Sequence, residues 1–138
     1  MNYAAARQAL IESEIGSMLP GEMLAELFWG AQAKAFAAGD IVFRKGEPTE
    51  ARFFLLVSGE LSLLDETARK ELMRYGKGTL LGEVGLFNPN ETRTATIMAA
   101  EKCEVMEWDF AALKVDLRQT LGPVLEKIAF QRISNYTP

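Results

Sequence analysis

The sequence contains no histidine and only one cysteine, Cys103, among its 138 residues. Without histidine, the chain cannot form a histidine-based zinc, iron or copper site, and it lacks the usual general base for a serine or cysteine nucleophile. A carboxylate pair or a magnesium site remains open, but most common enzyme chemistries are excluded. We therefore expect a protein that is not an enzyme and that uses no metal or cofactor. One cysteine cannot close an internal disulfide, which indicates a cytoplasmic protein.

Long apolar runs and an excess of positive charge are also missing. No apolar run approaches the ~20 residues that a membrane-spanning helix needs, and the N-terminus lacks the layout of a signal peptide. The net charge of −4 disfavours sequence-independent binding to DNA. With 49% apolar and 25% charged residues, the chain has the composition of a globular protein. We expect a single domain over 1–138 that contacts neither a membrane nor DNA directly.

Hydrophobic spacing divides the chain into three regions. Residues 4–29 show helical spacing, and Pro20-Gly21 divides them into two helices. Residues 34–108 contain short strand-like runs separated by glycine turns, which is typical of a β-barrel or jelly roll. Residues 109–136 return to helical spacing, with Asp109 as an N-cap and a break at Gly122-Pro123 that predicts a pair of helices. The predicted architecture is mainly β with flanking helices.

Bulky apolar side chains and the cysteine invite functional interpretations, which the pattern does not favour. Cys103 alternates with Val105 on a predicted strand, so packing is a better interpretation than redox sensing. The large aromatic side chains are expected in the core rather than on a stacking platform. They are Trp29, Trp108, Phe53 and Phe54.

The stretch "LLGEVGLFNPNETRTATI", from Leu80 to Ile97, is the candidate functional segment. Gly82 permits a close backbone approach, and the Glu83 carboxylate can accept from a hydroxyl or an amine. The helical turn that we expect after Gly82 would present backbone N–H groups to an anion. The planar guanidinium of Arg93 matches phosphate oxygens, and Thr94 adds a hydroxyl. These groups suit a phosphate attached to a polyol, although a surface salt bridge of Glu83 with Arg93 is the simpler interpretation of the two charges alone.

Four segments in order resemble the cyclic-nucleotide-binding domain family. They are "AGDIVFRKGEP", "FFLLVSGELSLL", "GKGTLLGEVGLF" and "ETRTATIMA", and the resemblance covers about Leu19 to Ile133. The spacing from Gly82-Glu83 to Arg93 is similar to that of the bacterial catabolite-activator branch. The resemblance implies a β-roll, or double-stranded jelly roll, with a phosphate-binding cassette over 82–95. It also implies a non-catalytic sensor of a 3′,5′-cyclic nucleotide.

Roles for individual residues follow from the same resemblance. Glu83 would accept from the ribose 2′-OH and Arg93 would pair with the cyclic phosphate. Replacing Arg93 by alanine is expected to abolish micromolar binding while the fold survives. The implied ligand-binding residues are Gly82, Glu83, Val84, Gly85, Leu86, Arg93, Thr94 and Ala95. The apolar lining for sugar and base is expected from Leu72, Leu81, Val84 and Leu86.

Several questions stay open at this stage. The cassette length favours cyclic AMP, whereas a hydroxyl at Thr94 resembles members that favour cyclic GMP; we expect cyclic AMP. The C-terminal helix is expected to move on binding, to act on an unknown effector protein and to offer a surface for a homodimer. Its lid residues would be Phe130, Gln131, Ser134 or Tyr136. Alternatives are an interaction domain that no longer binds nucleotide, the ligand domain of a longer transcription regulator, and a cupin-like enzyme, for which the metal-binding histidines are missing.

Overall fold

Two helices precede the β-structure. A computed structural model describes residues 1–65, 67 and 69–136, with side chains as far as Arg132. Helix α1 spans Tyr3–Glu12, and the side chain of Asn2 caps it by accepting from the backbone N–H of Ala5 at 3.1 Å. Helix α2 spans Gly21–Gly30 and begins directly after Pro20. The predicted pair of N-terminal helices, and the division between them, are confirmed.

In the described part of the chain, eight strands form two four-stranded antiparallel sheets. The strands are β1 (Gln32–Phe36), β2 (Ile41–Phe43), β3 (Arg52–Ser58), β4 (Leu61–Asp65), β5 (Lys70–Tyr75), β6 (Leu80–Leu81), β7 (Thr96–Ala99) and β8 (Cys103–Asp109). The order is β1-β8-β3-β6 in one sheet and β2-β7-β4-β5 in the other. Between β6 and β7 lies a one-turn helix, α3, over Glu83–Leu86. The mainly β jelly-roll prediction is therefore confirmed, and the β-structure begins two residues earlier than expected.

The first sheet is covered on both faces, so its central strand is an almost continuous apolar run. Phe53 on β3 faces the helices and stacks on Trp108 with ring centroids 5.1 Å apart. The indole N–H of Trp108 donates to the carbonyl of Leu27 on α2 at 2.7 Å, which joins helix and sheet. Phe54 points the other way, into the core between the sheets, where Cys103 is also buried. Core positions are thus confirmed for Phe53, Phe54, Trp108 and Cys103.

Trp29 does not lie in the core, and that prediction is wrong. Its side chain is 78% exposed. Leu27 supplies the fully buried contact of α2, and a residue two positions later in a helix lies about 200° around the axis. Trp29 therefore faces outward on the same helix whose other side is packed.

The C-terminal region differs from the predicted helix pair. Asp109 does act as an N-cap, but of a short 3-10 helix over Phe110–Ala112. Helix α4 then runs unbroken from Val115 to Tyr136 and contains Pro123. A proline inside a helix costs about 3 kcal/mol because it removes a hydrogen bond and crowds the preceding turn. Here Pro123 is exposed, and a buried face before and after it holds the helix together; its residues are Leu117, Leu121, Leu125 and Ile128.

Gly59 occupies the turn between β3 and β4 with φ +85°, in the left-handed region. A Cβ there would lie 2.3 Å from the carbonyl oxygen of Lys102. We expect Gly59→Ala to lower the free energy of unfolding, measured by urea titration, by about 2 kcal/mol or more. The matched control is Gly76→Ala, whose Cβ would meet nothing within 4 Å and should change stability by less than about 0.5 kcal/mol. Equal losses in the two variants would contradict this account.

Candidate functional site

A cavity of about 720 Å³ lies between the second sheet, the α3 turn and the end of α4. Its apolar wall comes from both sheets and includes Leu63, Leu72 and Leu81. Its polar end is formed by the segment 82–85 and by Arg93. The cavity therefore presents an apolar surface beside a cluster of polar groups, which is the usual composition of a small-molecule site.

Two glycines of this segment are required by close approach. Gly82 has φ +83°, and a Cβ on it would lie 2.7 Å from Nη1 of Arg93. A Cβ on Gly85 would lie 2.9 Å from Cγ2 of Thr49. Any larger residue would push the arginine or the loop away, so the sequence Gly-Glu-Val-Gly is matched to the side chains packed on it.

Arg93 is held in place by the protein itself. Its backbone N–H donates to the carbonyl of Glu47 at 2.8 Å, and its carbonyl accepts from Gly46 at 2.9 Å. The guanidinium donates to the carbonyls of Gly82 (3.1 Å), Thr49 (3.1 Å) and Arg52 (2.9 Å). These contacts tie the cassette to the segment before β3 and to the first residue of that strand.

The surroundings of the Arg93 guanidinium are apolar on one side. It lies 4.4 Å from the ring centroid of Phe43 and 5.6 Å from that of Phe54, in cation–π contact. Arg93 is only 4% exposed. Burial lowers the pKa of Arg93 to about 10, because desolvation disfavours the charged form. At neutral pH the group still carries its positive charge.

The turn that contains two of the carbonyls bound by Arg93 is strained. Thr49 and Arg52 flank Glu50 and Ala51, which have φ of 53° and 60°. Two successive non-glycine residues in the left-handed region are uncommon and cost of order 1 kcal/mol each. The strain coincides with the point where the backbone turns its carbonyls toward Arg93.

Glu83, at the start of α3, is completely buried. Its Oε1 lies 2.8 Å from Nη1 of Arg132, which reaches the cavity from α4. The contact is ionic rather than an aligned hydrogen bond, and neither carboxylate oxygen accepts a hydrogen bond from the described residues. Burial raises the pKa of Glu83 above its ordinary value of 4.5, and the charge of Arg132 opposes that rise.

Glu83 and Arg93 do not pair with each other. Among residues 1–65, 67 and 69–132, the only cation within 4.0 Å of Glu83 is Arg132, and no carboxylate lies that close to Arg93. The simple surface salt bridge between them is therefore wrong. Both groups are buried at the cavity, each with protein partners of its own.

The predicted site residues come together with one exception. Seven of the eight line the cavity: Gly82, Glu83, Val84, Gly85, Arg93, Thr94 and Ala95. Leu72 and Leu81 line it as well. Leu86 does not, because it packs against the core beneath the helices instead.

Arg132 replaces the expected lid residues in the described structure. Phe130 is 69% exposed, and neither it nor Gln131 lines the cavity. The side chains of Ser134 and Tyr136 lie outside the described part. The signal for Arg132 was present in the sequence, since it falls four residues after buried Ile128 on the same helical face. The predicted break at Pro123 hid that continuity.

No membrane-spanning helix and no metal cluster occur in what the structure describes. Within those residues, none of the helices combines the length and the hydrophobicity needed to cross a bilayer. Nor does any group of three or more aspartate, glutamate or cysteine side chains there come together in a way that would hold a metal ion.

Comparisons with a family model and with known proteins point to the same family. The model of the cyclic nucleotide-binding domain matches residues 33–117. The CRP-like protein Clp of Xanthomonas oryzae pv. oryzae (strain PXO99A) is 30% identical over 92 residues. The match covers 64% of this chain and 40% of that protein, so the two share less than half of the relative's length.

Solved structures agree in fold. The chain superposes on the cAMP-bound PfPKA-R (141-441) with a TM-score of 0.77 at 26% identity, covering 97% of this chain and 46% of the other. It superposes on the N-terminal domain of a transcriptional regulator from Streptomyces coelicolor A3(2) with a TM-score of 0.71 at 25% identity, covering 92% and 91%.

Proposed function

Because the chain belongs to the cyclic nucleotide-binding domain family, we propose that its cavity binds a 3′,5′-cyclic nucleotide as a regulatory ligand, without catalysis. One observation carries the proposal: a fully buried carboxylate, Glu83, faces a cavity that Arg93 and the segment 82–85 close at the same end. A buried carboxylate without hydrogen bonds is costly, so a site that retains one suits a ligand that donates to it.

Each part of the ligand has a matching surface. The ribose 2′-OH would donate to Glu83, and the cyclic phosphate would lie against Arg93, Thr94 and the backbone N–H groups of 82–85. The base would lie on the apolar wall that includes Leu63 and Leu72. The ligand-binding residues that we propose are those implied by the cassette motif, except for Leu86.

For the base, we propose cyclic AMP rather than cyclic GMP. The cassette length supports this choice, and so does the similarity to PfPKA-R, whose structure contains cAMP. The Thr94 hydroxyl at the cavity is the observation that favours cyclic GMP. A direct comparison of the two ligands decides between them.

The regulatory output would come from α4. Nη1 of Arg132, on this helix, lies 2.8 Å from Glu83. A ligand that forms a hydrogen bond with Glu83 must therefore change that contact. A ligand shifts a conformational equilibrium only through such a difference in contacts between two states. We propose that α4 repositions and passes the signal to an effector protein or to a further segment of a longer regulator. The exposed Phe130 offers a contact for a second copy of the chain.

The second candidate is an interaction domain that no longer binds nucleotide. One observation favours it: Arg93 and Glu83 already have partners within the protein. Arg93 donates to three backbone carbonyls, and Glu83 is paired with Arg132. In both candidates the protein acts in the cytoplasm, without direct DNA contact by the segment described.

Calorimetric titration with cyclic AMP and cyclic GMP in parallel tests the proposal. We expect micromolar binding, tighter for cyclic AMP. The matched control is Glu60→Gln, which alters an exposed carboxylate paired with Arg74 and should bind as the wild type does. Absence of binding by the wild type to either nucleotide would reject the ligand and favour the interaction domain.

A further inference from the structure

Arg132 is shared between two carboxylates on opposite sides. Its Nη1 lies 2.8 Å from Oε1 of Glu83, and its Nη2 lies 3.4 Å from Oε1 of Glu14. Glu14 follows α1 in the connection to α2, and its side chain is 48% exposed. One guanidinium therefore joins three separate parts of the chain: the N-terminal helices, the cassette and α4.

This sharing determines how much of Glu83 the arginine covers. A guanidinium that faces a single carboxylate frequently binds both of its oxygens through two parallel N–H donors. Here Nη2 donates to Glu14, and the short contact with Glu83 joins Nη1 to Oε1. Oε2 of Glu83 is buried and accepts no hydrogen bond from the described residues.

We propose that Glu14 is a positioning residue for the ligand site, keeping Oε2 of Glu83 open for a ligand hydroxyl by holding the second amine of Arg132. This role rests on the proposed function, since the hydroxyl is the ribose 2′-OH of the cyclic nucleotide. Glu14 acts only through Arg132 and does not line the cavity.

Charge supports the same role. Two carboxylates share one cation, so the group as a whole carries one negative charge. Glu14 repels the charge on Glu83, whereas Arg132 and the more distant Arg93 attract it. A hydroxyl donor to Oε2 relieves the shortage of donors without adding a second charge.

The test is Glu14→Gln, which keeps the shape of the side chain and removes its charge. The new amide oxygen can still accept from Arg132 but no longer attracts its charge, so Glu83 draws both amines of Arg132, which then compete with the ligand hydroxyl. We expect the affinity for cyclic AMP, or for cyclic GMP if that binds more tightly, to fall roughly five- to tenfold, the effect of one lost hydrogen bond. The affinity for the 2′-deoxy analogue, which has no hydroxyl to donate, should not change.

A second variant checks the route through Arg132. A lysine ammonium cannot span both oxygens of a carboxylate as a guanidinium does. Adding Arg132→Lys to Glu14→Gln should therefore restore most of the lost affinity for the 2′-hydroxyl ligand. An equal loss for both ligands, or no recovery in the double variant, would show a merely structural role and overturn the proposal.

A measurement without ligand separates this proposal from the proposed function. If the wild type binds neither nucleotide, the proposed function fails. The effect of Glu14 on Arg132 can still be tested, by measuring the carboxyl pKa of Glu83 with carbon NMR in the wild type and in Glu14→Gln. Glu14→Gln should lower that pKa, because a repelling charge is removed and Arg132 moves onto Glu83. An unchanged pKa would overturn the positioning role.

Discussion

Replacing Arg93 by alanine is expected to abolish nucleotide binding and to destabilise the fold. The guanidinium donates to the carbonyls of Gly82, Thr49 and Arg52 and packs on Phe43. Removing it leaves three acceptors without donors in a buried site, at a cost of about 3 kcal/mol in the free energy of unfolding. The fold is thus not expected to survive unchanged, contrary to what the motif alone suggests. Urea denaturation and calorimetric titration measure the two effects.

The control for this variant is a second arginine with a different environment. Arg74 is half exposed and pairs with Glu60 and Glu71 on the surface. Arg74→Ala should change stability far less than Arg93→Ala, since exposed ion pairs contribute little. Arg93→Lys keeps the charge but cannot reach three carbonyls, so it should fall between the wild type and Arg93→Ala in stability. A wild-type stability for Arg93→Ala would contradict the structural role of this side chain.

Glu83→Gln is expected to weaken nucleotide binding roughly tenfold or more and to reduce the loss of stability that occurs as the pH rises above 4.5. Burial raises the pKa of Glu83 in the folded state above 4.5. Between 4.5 and the folded pKa the native state binds more protons than the unfolded state. Stability therefore falls as the pH rises through that window, and the loss persists above it. Glutamine removes this loss because it does not ionise.

The free energy of unfolding at pH 5 and pH 8 is the measurement. The wild type should lose more stability between these values than Glu83→Gln, in which Arg132 keeps its contact with Glu14. Glu71→Gln is the control, because hydrogen bonds from Ser62 and Arg74 lower the pKa of Glu71 and it stays ionised throughout. An equal pH dependence in the wild type and Glu83→Gln would show that Glu83 is not held in an unfavourable environment.

Local sequence signals were sufficient to predict the structure wherever the hydrophobic pattern agrees with the final packing. The glycine turns and the apolar run of β3 predicted the β-roll, and the cassette motif predicted seven cavity-lining positions. Trp29 was misplaced because hydrophobicity alone does not say which side of α2 faces the core. Position relative to the buried Leu27 does, but that face is identified only once the helix is packed.

Two further differences depend on long-range contacts. Pro123 predicts a helix end from local stereochemistry, yet the buried face of α4 on either side of it outweighs that preference. The three acceptors of the Arg93 guanidinium lie 11 to 44 positions away in the sequence, and all three are backbone carbonyls. Backbone acceptors leave no residue-type signal, so the motif predicts an arginine that meets a ligand but not one that also holds the fold.

The unbroken α4 has a mechanical consequence. A helix resists bending through its ladder of backbone hydrogen bonds, and at Pro123 one rung is missing. Pro123 is therefore the position in α4 where the backbone resists bending least. Arg132 lies nine residues beyond that position, about 14 Å along the axis. Leu125 and Ile128 lie beyond Pro123 and are packed in the core, so a change of angle at Pro123 would move Arg132 relative to Glu83 only if those contacts shift with it.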